Sequence, residues 1–424
     1  MARISVICAT PPKPNPGMSS VDLAFYAFSK RHGFAKDVTY YQLYTPEELH
    51  TDKDPVVYKE IVRRQQLPFE YECFRNRLDE IKKSDVIIFW GDFLHMANYQ
   101  DAASRNLCRA GIAASQQEAL QIVREHLFLI NADSATRNKV IMFGSTLLFN
   151  RSVDYQDTDY GNSITEFLKS IHSVRVRDVY SAFKVSEIRS DYDKSFLGMD
   201  CSLLLQKDDM KLLERSNYSA DESFGKGKVG IFFGRSDCDA KVLGKFAGDL
   251  CKVMGLQAQW LSWRLDKSSA KVLSRIKGYF KDLEIPAFTD APLPGDLYEI
   301  LARYSFVITD TYHVCVNAWR MGIPAVCIGQ AVLESEWSVS SGGQFYWRDK
   351  RQVFYSMYDA TEYYTYVEEL NNRSQRKKRI EQLVRLLGNE SVSQQVADRL
   401  QSHARNIEIT LLKDINELSG KLDE

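Results

Sequence analysis

The segment from Phe306 to Gly329 constrains the fold of this chain more than any other. It begins with a β-branched run typical of a buried strand, passes into a helical pattern, and returns to an apolar run over 325–328. Gly322 and Pro324 lie between the helical pattern and the second apolar run, where they stop a helix. We therefore predict a strand–helix–strand unit of a parallel α/β sheet, with its helix over about 313–321.

Four polar or aromatic residues follow the first strand of this unit, where the helix begins. They are Asp310, Thr311, Tyr312 and His313. In open parallel sheets, ligands bind outside the carboxyl ends of strands, where helix N-termini present free N–H groups and a positive dipole. We therefore predict that these residues bind an anionic ligand and that His313 is catalytic. The alternative is that His313 only caps or packs the helix.

The rest of the chain alternates strand and helix patterns on either side of a polar, Gly-containing stretch. At 424 residues the chain is too long for one ordinary core. We predict two Rossmann-like, doubly wound α/β domains that face a cleft, followed by a C-terminal helical extension. The predicted boundaries are 1–216 for the first domain, 217–228 for a linker, 229–370 for the second domain and 371–424 for the helices.

Local patterns in the first domain predict its early elements. A helix is expected from Ser19 or Ser20 to His32, because Ser is a good N-cap. A strand over 38–43 follows, then a charged amphipathic helix over 71–83 and a third strand over 85–90.

Apolar residues recur at three- and four-residue steps from about Gln375 to Leu422, which predicts long helices with one apolar stripe. Such a stripe usually packs back on its own domain. The alternative is a homodimer seam, although Gly388 and Ile409 interrupt clean heptads.

The composition is that of a soluble globular protein, with 44% hydrophobic and 26% charged residues. A net charge of −1 gives no basic surplus, so no nucleic-acid partner is expected. The eight cysteines form no C-x-x-C pair, which argues against a zinc site and a disulfide framework. The N-terminus has no signal-peptide pattern and no apolar run is long enough to span a bilayer, so we expect a cytoplasmic protein.

Three stretches resemble motifs of the polysaccharide pyruvyl transferase family. The segment 306–329 is similar to the family's strand–His–helix–strand motif with its Gly-x-Pro-x-x-x-Ile ending. The stretches 173–181 (SVRVRDVYS) and 197–205 (LGMDCSLLL) resemble the family's S-V-R-D…S and D-x-x-x-L-L pair. The resemblance covers the middle and C-terminal parts of the chain, and it implies that the two domains have a GT-B-like arrangement.

The resemblance also implies a reaction, the transfer of a pyruvyl group from phosphoenolpyruvate to two sugar hydroxyls as a ketal in surface-polysaccharide biosynthesis. The donor carries a carboxylate and a phosphate, which require Arg side chains, backbone N–H groups or both. The enol ether carbon must also be protonated, and His313 is the candidate general acid. Phosphoenolpyruvate is then a substrate, and neither a cofactor nor a metal is expected.

The chain departs from the family motif two residues before His313. The family commonly has an Arg there, in an R-x-H arrangement, and this chain has Thr311. Because a hydroxyl brings no charge, another cation must bind the donor. We predict that Arg235 and Ser236, in a turn after a strand, take this role, with Arg320 as the less favoured replacement. The alternative is that Arg235 is an ordinary surface residue.

The sugar acceptor is expected to bind the first domain. Family members often carry an N-x-G-D-type turn after the first strand, and this chain keeps Asn15 and Gly17 without the Asp. At the end of the third predicted strand and just after it, Trp90 or Tyr99 is expected to stack on a sugar ring, Asp92 to bind or deprotonate a hydroxyl, and His95 to line the site. The alternative is that Asp92 caps a loop and His95 packs in the core.

Arg177 and Asp178 stand at a strand end, where such a pair commonly fixes a loop by a salt bridge. Arg175 lies one β-period away on the same face, so the alternative is a basic patch at the domain interface.

Two other functions are open at this point. A GT-B glycosyltransferase could hold a nucleotide diphosphate with helix N-terminal amides and one Arg, and Glu334 and Glu336 would then need to line the cleft. A catalytically silent assembly subunit would explain the missing Arg. The partner predictions are a glycan or lipid-linked sugar acceptor, peripheral membrane association, and a homodimer formed through the C-terminal helices.

Overall fold

A computed structural model gives the positions of most of the chain. The residues that it describes are 2–9, 15–44, 67–92, 94–156, 158–192, 194–212, 225–234, 239–264, 267–286, 293–330, 333–336, 344–347 and 349–420. The predicted linker 217–228 lies largely outside this part of the chain.

The first domain is built on a sheet of six parallel strands in the order β3-β2-β1-β4-β5-β6, counted over the described residues. Its strands are β1 (Ile4–Cys8), β2 (Val38–Gln42), β3 (Tyr71–Cys73), β4 (Val86–Asp92), β5 (Val140–Ser145) and β6 (Ser173–Val176). This order is that of a Rossmann fold. The central strands are buried on both faces, which explains their nearly continuous apolar sequences.

Helices cover both faces of the first sheet. They are α1 (Pro16–Arg31), α2 (Leu78–Ile81), α3 (Ala97–Arg109), α4 (Gln116–Leu127), α5 (Ser134–Arg137), α6 (Ser152–Gln156), α7 (Thr158–Ser170) and α8 (Val179–Arg189). After α8, the domain continues through two 3₁₀ turns, Cys201–Leu204 and Lys207–Leu212.

Two local predictions in this domain are wrong. Helix α1 begins at Pro16 rather than at Ser19 or Ser20, because the Asn15 side chain caps it and Pro16 suits the first helical position. The charged stretch 71–83 is not one helix. It begins with strand β3, which pairs with β2, and this edge pairing overrides the helical pattern of its sequence.

The second domain has a five-stranded parallel sheet in the order β13-β10-β9-β7-β8, again over the described residues. Its strands are β7 (Val229–Phe232), β8 (Ala258–Trp260), β9 (Phe306–Thr309), β10 (Ala325–Gly329) and β13 (Tyr364–Tyr366). The remaining two strands, β11 (Leu333–Glu336) and β12 (Gln344–Trp347), pair as a separate antiparallel hairpin.

The helices of the second domain and of the C-terminus follow the same alternation. They are α9 (Ala240–Met254), α10 (Lys267–Lys277), α11 (Pro294–Leu301), α12 (Tyr312–Arg320), α13 (Lys350–Met357), α14 (Val367–Asn371), α15 (Arg373–Leu387) and α16 (Glu390–Ser419). The strand–helix–strand unit β9-α12-β10 is the one that the sequence predicts, within one residue at each end.

The C-terminal helix α16 packs on the first domain as well as on its own. Asp414 accepts a 2.5 Å hydrogen bond from the Ser173 hydroxyl at the start of β6, and Glu408 pairs with Arg31 of α1 at 2.9 Å. The apolar stripe of α16 is therefore buried within one chain, while Ile409 is 67% exposed. A homodimer through these helices stays a prediction, and it would have to use such remaining exposed positions.

None of the described helices is both long enough and apolar enough to cross a lipid bilayer.

We expect Asp414→Ala to loosen α16 from the first domain. The substitution leaves the buried Ser173 hydroxyl without its acceptor, so the free energy of unfolding should fall by about 1–3 kcal/mol, as measured by chemical denaturation. The control is Ile409→Ala on the exposed face of the same helix, which should stay within about 0.5 kcal/mol of wild type. Equal stability of the two variants would contradict this role for Asp414.

Candidate active site

His313 lies at the domain interface, at the start of α12 and beyond the carboxyl end of β9. The N-cap residue of α12 is Thr311. Its hydroxyl donates to the Asp310 carboxylate at 2.9 Å and does not cap the helix. His313 is 7% exposed. The structure therefore has His313 beyond a strand end, as predicted. The first domain covers its side chain.

The first turn of α1 packs directly against His313. A Cβ atom on Gly17 would lie 2.6 Å from both Cβ and Nδ1 of His313, so only glycine fits at this position. Two further contacts join the same surfaces, from Tyr298 to the Pro16 carbonyl at 2.8 Å and from Asn317 to Ser20 at 3.1 Å. The N-termini of α1 and α12 therefore meet across the domain interface.

Asn15, the other residue predicted to bind the acceptor, is occupied with α1. Its side-chain oxygen accepts from the Gly17 N–H at 3.1 Å. Asn15 therefore sets the start of the helix that meets His313, while its side chain is only partly buried.

Asp200 of the first domain is the acidic neighbour of His313. Its Oδ2 lies 3.8 Å from His313 Nε2 and 3.5 Å from Arg177 Nη1. The other carboxylate oxygen accepts from the N–H and hydroxyl of Ser202. Burial alone would raise the pKa of Asp200, but the positive charges of His313 and Arg177 and the Ser202 hydrogen bonds lower the pKa below its usual value. Asp200 therefore stays ionised and favours the protonated form of its histidine neighbour.

Two cations approach the ring of Tyr312. The guanidinium of Arg177, from the first domain, lies 5.0 Å from the ring centroid, and Lys350 Nζ, from the second domain, lies 4.9 Å from it. Both distances are within the range of cation–π attraction. Arg177, Lys350 and His313 thus form a group of cationic or protonatable side chains around Tyr312, with contributions from both domains. We call this group the cation cluster.

Asp310 and Arg351 hold the strand ends beneath the cation cluster. Asp310 accepts from the Gly234 N–H at 2.8 Å, which ties the end of β7 to the end of β9. The buried Arg351 donates to the carbonyls of Asp310 and Ile328 and pairs with Asp349. These two residues shape the site, since their polar atoms are used for contacts within the protein.

The pair Arg177 and Asp178 does not act as the sequence predicts. Asp178 caps α8 by accepting from the Ser181 N–H at 2.8 Å, whereas Arg177 extends to Asp200 and Tyr312. The alternative prediction of basic charge at the domain interface is thus the one that fits Arg177. The motif around Arg177 and Asp200 was visible in the sequence, but nothing local to Lys350 marks it as part of this site.

Trp90 and His95 are core residues, and the prediction that they bind the acceptor is wrong. Trp90 is fully buried, donates to the Val21 carbonyl at 2.7 Å and stacks on Phe143. His95 is fully buried, bonds the Leu127 carbonyl at 2.9 Å and stacks on Phe167. Neither ring has a face left for a sugar.

Five of the predicted residues fall where the structure describes no side chain. Arg235 and Ser236 lie outside the described residues. Asp92 ends strand β4, but its side chain is not among the described ones, and the same holds for Glu334 and Glu336 of β11. Their roles stay predictions. Arg320 lies at the far end of α12 from His313, so it is not the cation that replaces the family's Arg.

Two solved structures show how this fold compares with known ones. The structure of S. aureus MnaA with UDP matches with a TM-score of 0.54 and 10% identity, over 100% of this chain and 98% of the other. UDP-GlcNAc 2-epimerase from Neisseria meningitidis, bound to UDP-GlcNAc, matches with a TM-score of 0.52 and 10% identity, over 97% and 100%. At this identity the likeness shows the fold alone. It confirms the predicted GT-B-like arrangement of two Rossmann-like domains.

The family follows from the sequence match. The chain belongs to the polysaccharide pyruvyl transferase family, because the family model matches residues 30–331, more than half of its length. It is therefore a transferase that moves a pyruvyl group in polysaccharide biosynthesis. A comparison with curated proteins gives no match.

The burial of His95 predicts a pH dependence of stability. Burial lowers the pKa of His95 from 6.5 to about 4. Between these values the unfolded chain binds a proton that the folded chain does not, so stability falls as the pH decreases from about 6.5 to 4, by roughly 3 kcal/mol for this residue. His95→Gln should remove that part of the loss, measured by chemical denaturation at pH 7 and pH 4. The exposed His172→Gln should keep the wild-type dependence, and the same dependence in both variants would refute the assignment.

Gly17→Ala should push the two domains apart at His313. The added Cβ has no room at 2.6 Å, so we expect a loss of about 1–3 kcal/mol in the free energy of unfolding and a displaced His313 ring. Ser19→Ala, in the same turn of α1, adds no atoms and serves as the control. Chemical denaturation measures the stability, and a crystal structure of the variant locates the ring. An unmoved ring with wild-type stability would show that the close contact is not a constraint.

Proposed function

We propose that the pyruvyl donor is phosphoenolpyruvate, that it binds at the cation cluster, and that its pyruvyl group passes to two hydroxyls of a glycan or lipid-linked sugar. The observation that carries this proposal is the approach of Arg177 and Lys350, one from each domain, to the ring of Tyr312 beside His313. A ligand with two anionic groups suits a site whose cations come from two sides.

The cation cluster offers a replacement for the Arg that the family has at the position of Thr311. Arg177 is 5% exposed, so its charge acts in a poorly solvated environment where it attracts an anion more strongly than at the surface. Its planar guanidinium matches a carboxylate or a phosphate, while Lys350 acts as a point charge. The N-terminus of α12 adds a positive dipole on the same side.

His313 is the proposed general acid. In the proposed reaction, C3 of phosphoenolpyruvate takes a proton and one sugar oxygen forms a bond to C2. Phosphate then leaves with the C2–O bond electrons, and the second sugar oxygen attacks C2 to close the ketal. The two hydroxyl protons balance the one gained by C3 and the one carried away by phosphate. Asp200, 3.8 Å from His313 Nε2, favours the protonated imidazole that begins this sequence.

The acceptor would approach from the first domain, where Asp92 at the end of β4 is the proposed base for a sugar hydroxyl. We further propose that the enzyme works in the cytoplasm, because phosphoenolpyruvate is an intracellular metabolite, and that a lipid-linked acceptor would bring it to the membrane surface as a peripheral protein.

A binding experiment with matched variants tests the donor. Calorimetric titration with phosphoenolpyruvate should show binding to wild type and a loss of about 10- to 100-fold in affinity for Arg177→Met, as expected when a charged hydrogen-bond donor is removed. His313→Gln should lower turnover more than it lowers affinity. The control is Arg175→Met, two residues earlier in β6, whose guanidinium donates to the Ser195 carbonyl instead.

The same titration separates the other functions. Binding of UDP but not of phosphoenolpyruvate would overturn the proposal and favour a glycosyltransferase that uses a nucleotide sugar. Binding of neither would favour a silent assembly subunit. With a diol sugar as acceptor, NMR detection of a new ketal methyl group would identify the product directly.

A further inference from the structure

A second charged cavity lies at the other end of α12, behind the active site. It has a volume of about 300 Å³, and its walls come from three parts of the chain: the 3₁₀ turns that end the first domain, the end of α12, and the middle of α16. These are the parts that connect the two domains. A volume of this size holds a small metabolite.

Arg320 in the wall of this cavity is a buried cation with unused hydrogen-bonding capacity. It is 8% exposed, and its Nε donates to the Leu203 carbonyl at 3.3 Å. Its Nη1 has no hydrogen-bond partner among the described residues. Burial lowers the pKa of Arg320 to about 9, which reflects the cost of keeping this charge away from water. An anion beside the guanidinium would offset that cost.

The carboxylates near this cavity already have cationic partners within the chain. Asp209 and Glu408 both pair with Arg31, and Asp208 pairs with Lys211. The cationic residues Lys207 and Arg405 also line the cavity, and neither forms an ion pair with any other described residue. Together with Arg320 they leave the cavity with an excess of positive charge.

We propose that this cavity, bounded by Arg320, Lys207 and Arg405, binds a small phosphate-bearing anion. Bound there, the anion joins the end of the first domain to α12 and α16 and so stabilises their arrangement. Arg320 and His313 are on the same helix, about 10 Å apart along its axis at 1.5 Å per residue. The ligand thereby supports the position of His313 without contacting it. The proposal is independent of the identity of the pyruvyl donor.

Inorganic phosphate is the probe for the test, and Arg177→Met is the background, because it weakens phosphate binding at the cation cluster. Calorimetric titration of Arg177→Met should still detect one phosphate site. Adding Arg320→Met, which keeps an unbranched apolar side chain but removes the guanidinium, should weaken that site at least 10-fold. Arg385→Met, which removes an exposed cation of α15, is the matched control and should leave the site unchanged.

The outcomes distinguish a built site from general surface charge. An unchanged affinity after Arg320→Met, or an equal loss after Arg385→Met, would overturn the proposal. If Arg320→Met does not fold, Lys207→Gln combined with Arg405→Gln at exposed positions carries the same test, with a several-fold loss expected. Retained binding of phosphoenolpyruvate by Arg320→Met alone would show that the variant is folded and that the two sites are separate.

Discussion

The contact on which the rest of the structure depends is the one between the first turn of α1 and the first turn of α12. Each helix follows a central strand of its own sheet, so each brings its N-terminus to the carboxyl edge where a Rossmann-like domain binds ligands. At Gly17 the backbone comes so close to His313 that no side chain fits between them. Residues of α1 and α12 also belong to one continuous apolar core, which holds the two helix ends together.

This contact makes one site out of two domains. Arg177 and Asp200 belong to the first domain, and Tyr312, His313 and Lys350 to the second. Arg177 lies 5.0 Å from the Tyr312 ring centroid and Asp200 lies 3.8 Å from His313, while Lys350 approaches the same ring from within the second domain. A rotation that parted the domains would separate the charges and expose the interface. The geometry of the cation cluster is therefore tied to domain closure, and α16, which crosses between the domains, contributes to that closure through its contacts with both.

Much of the fold was predictable because its signals are local. The β9-α12-β10 unit and the central strand β4 follow from apolar runs, caps and breakers. The same signals failed for side chains in the middle of the sheets. In a parallel sheet covered by helices both faces are buried, so alternation cannot tell a residue such as Trp90 that packs in the core from one that lines a cleft. The edge strand β3 was not predicted, because it forms by pairing with β2 and its own sequence carries no local signal for that pairing.

The sequence by itself determined the family, the two Rossmann-like halves and the position of His313 at a strand end, since each depends on residues that are close along the chain. Only the tertiary structure decided which cations surround that histidine, because Arg177 and Lys350 both approach Tyr312 but are far apart along the chain. The same is true of the cavity at Arg320, whose walls come from three distant segments. Periodicity and capping act over a few residues, whereas a charge is paired, stacked or left over according to what the folded chain brings beside it.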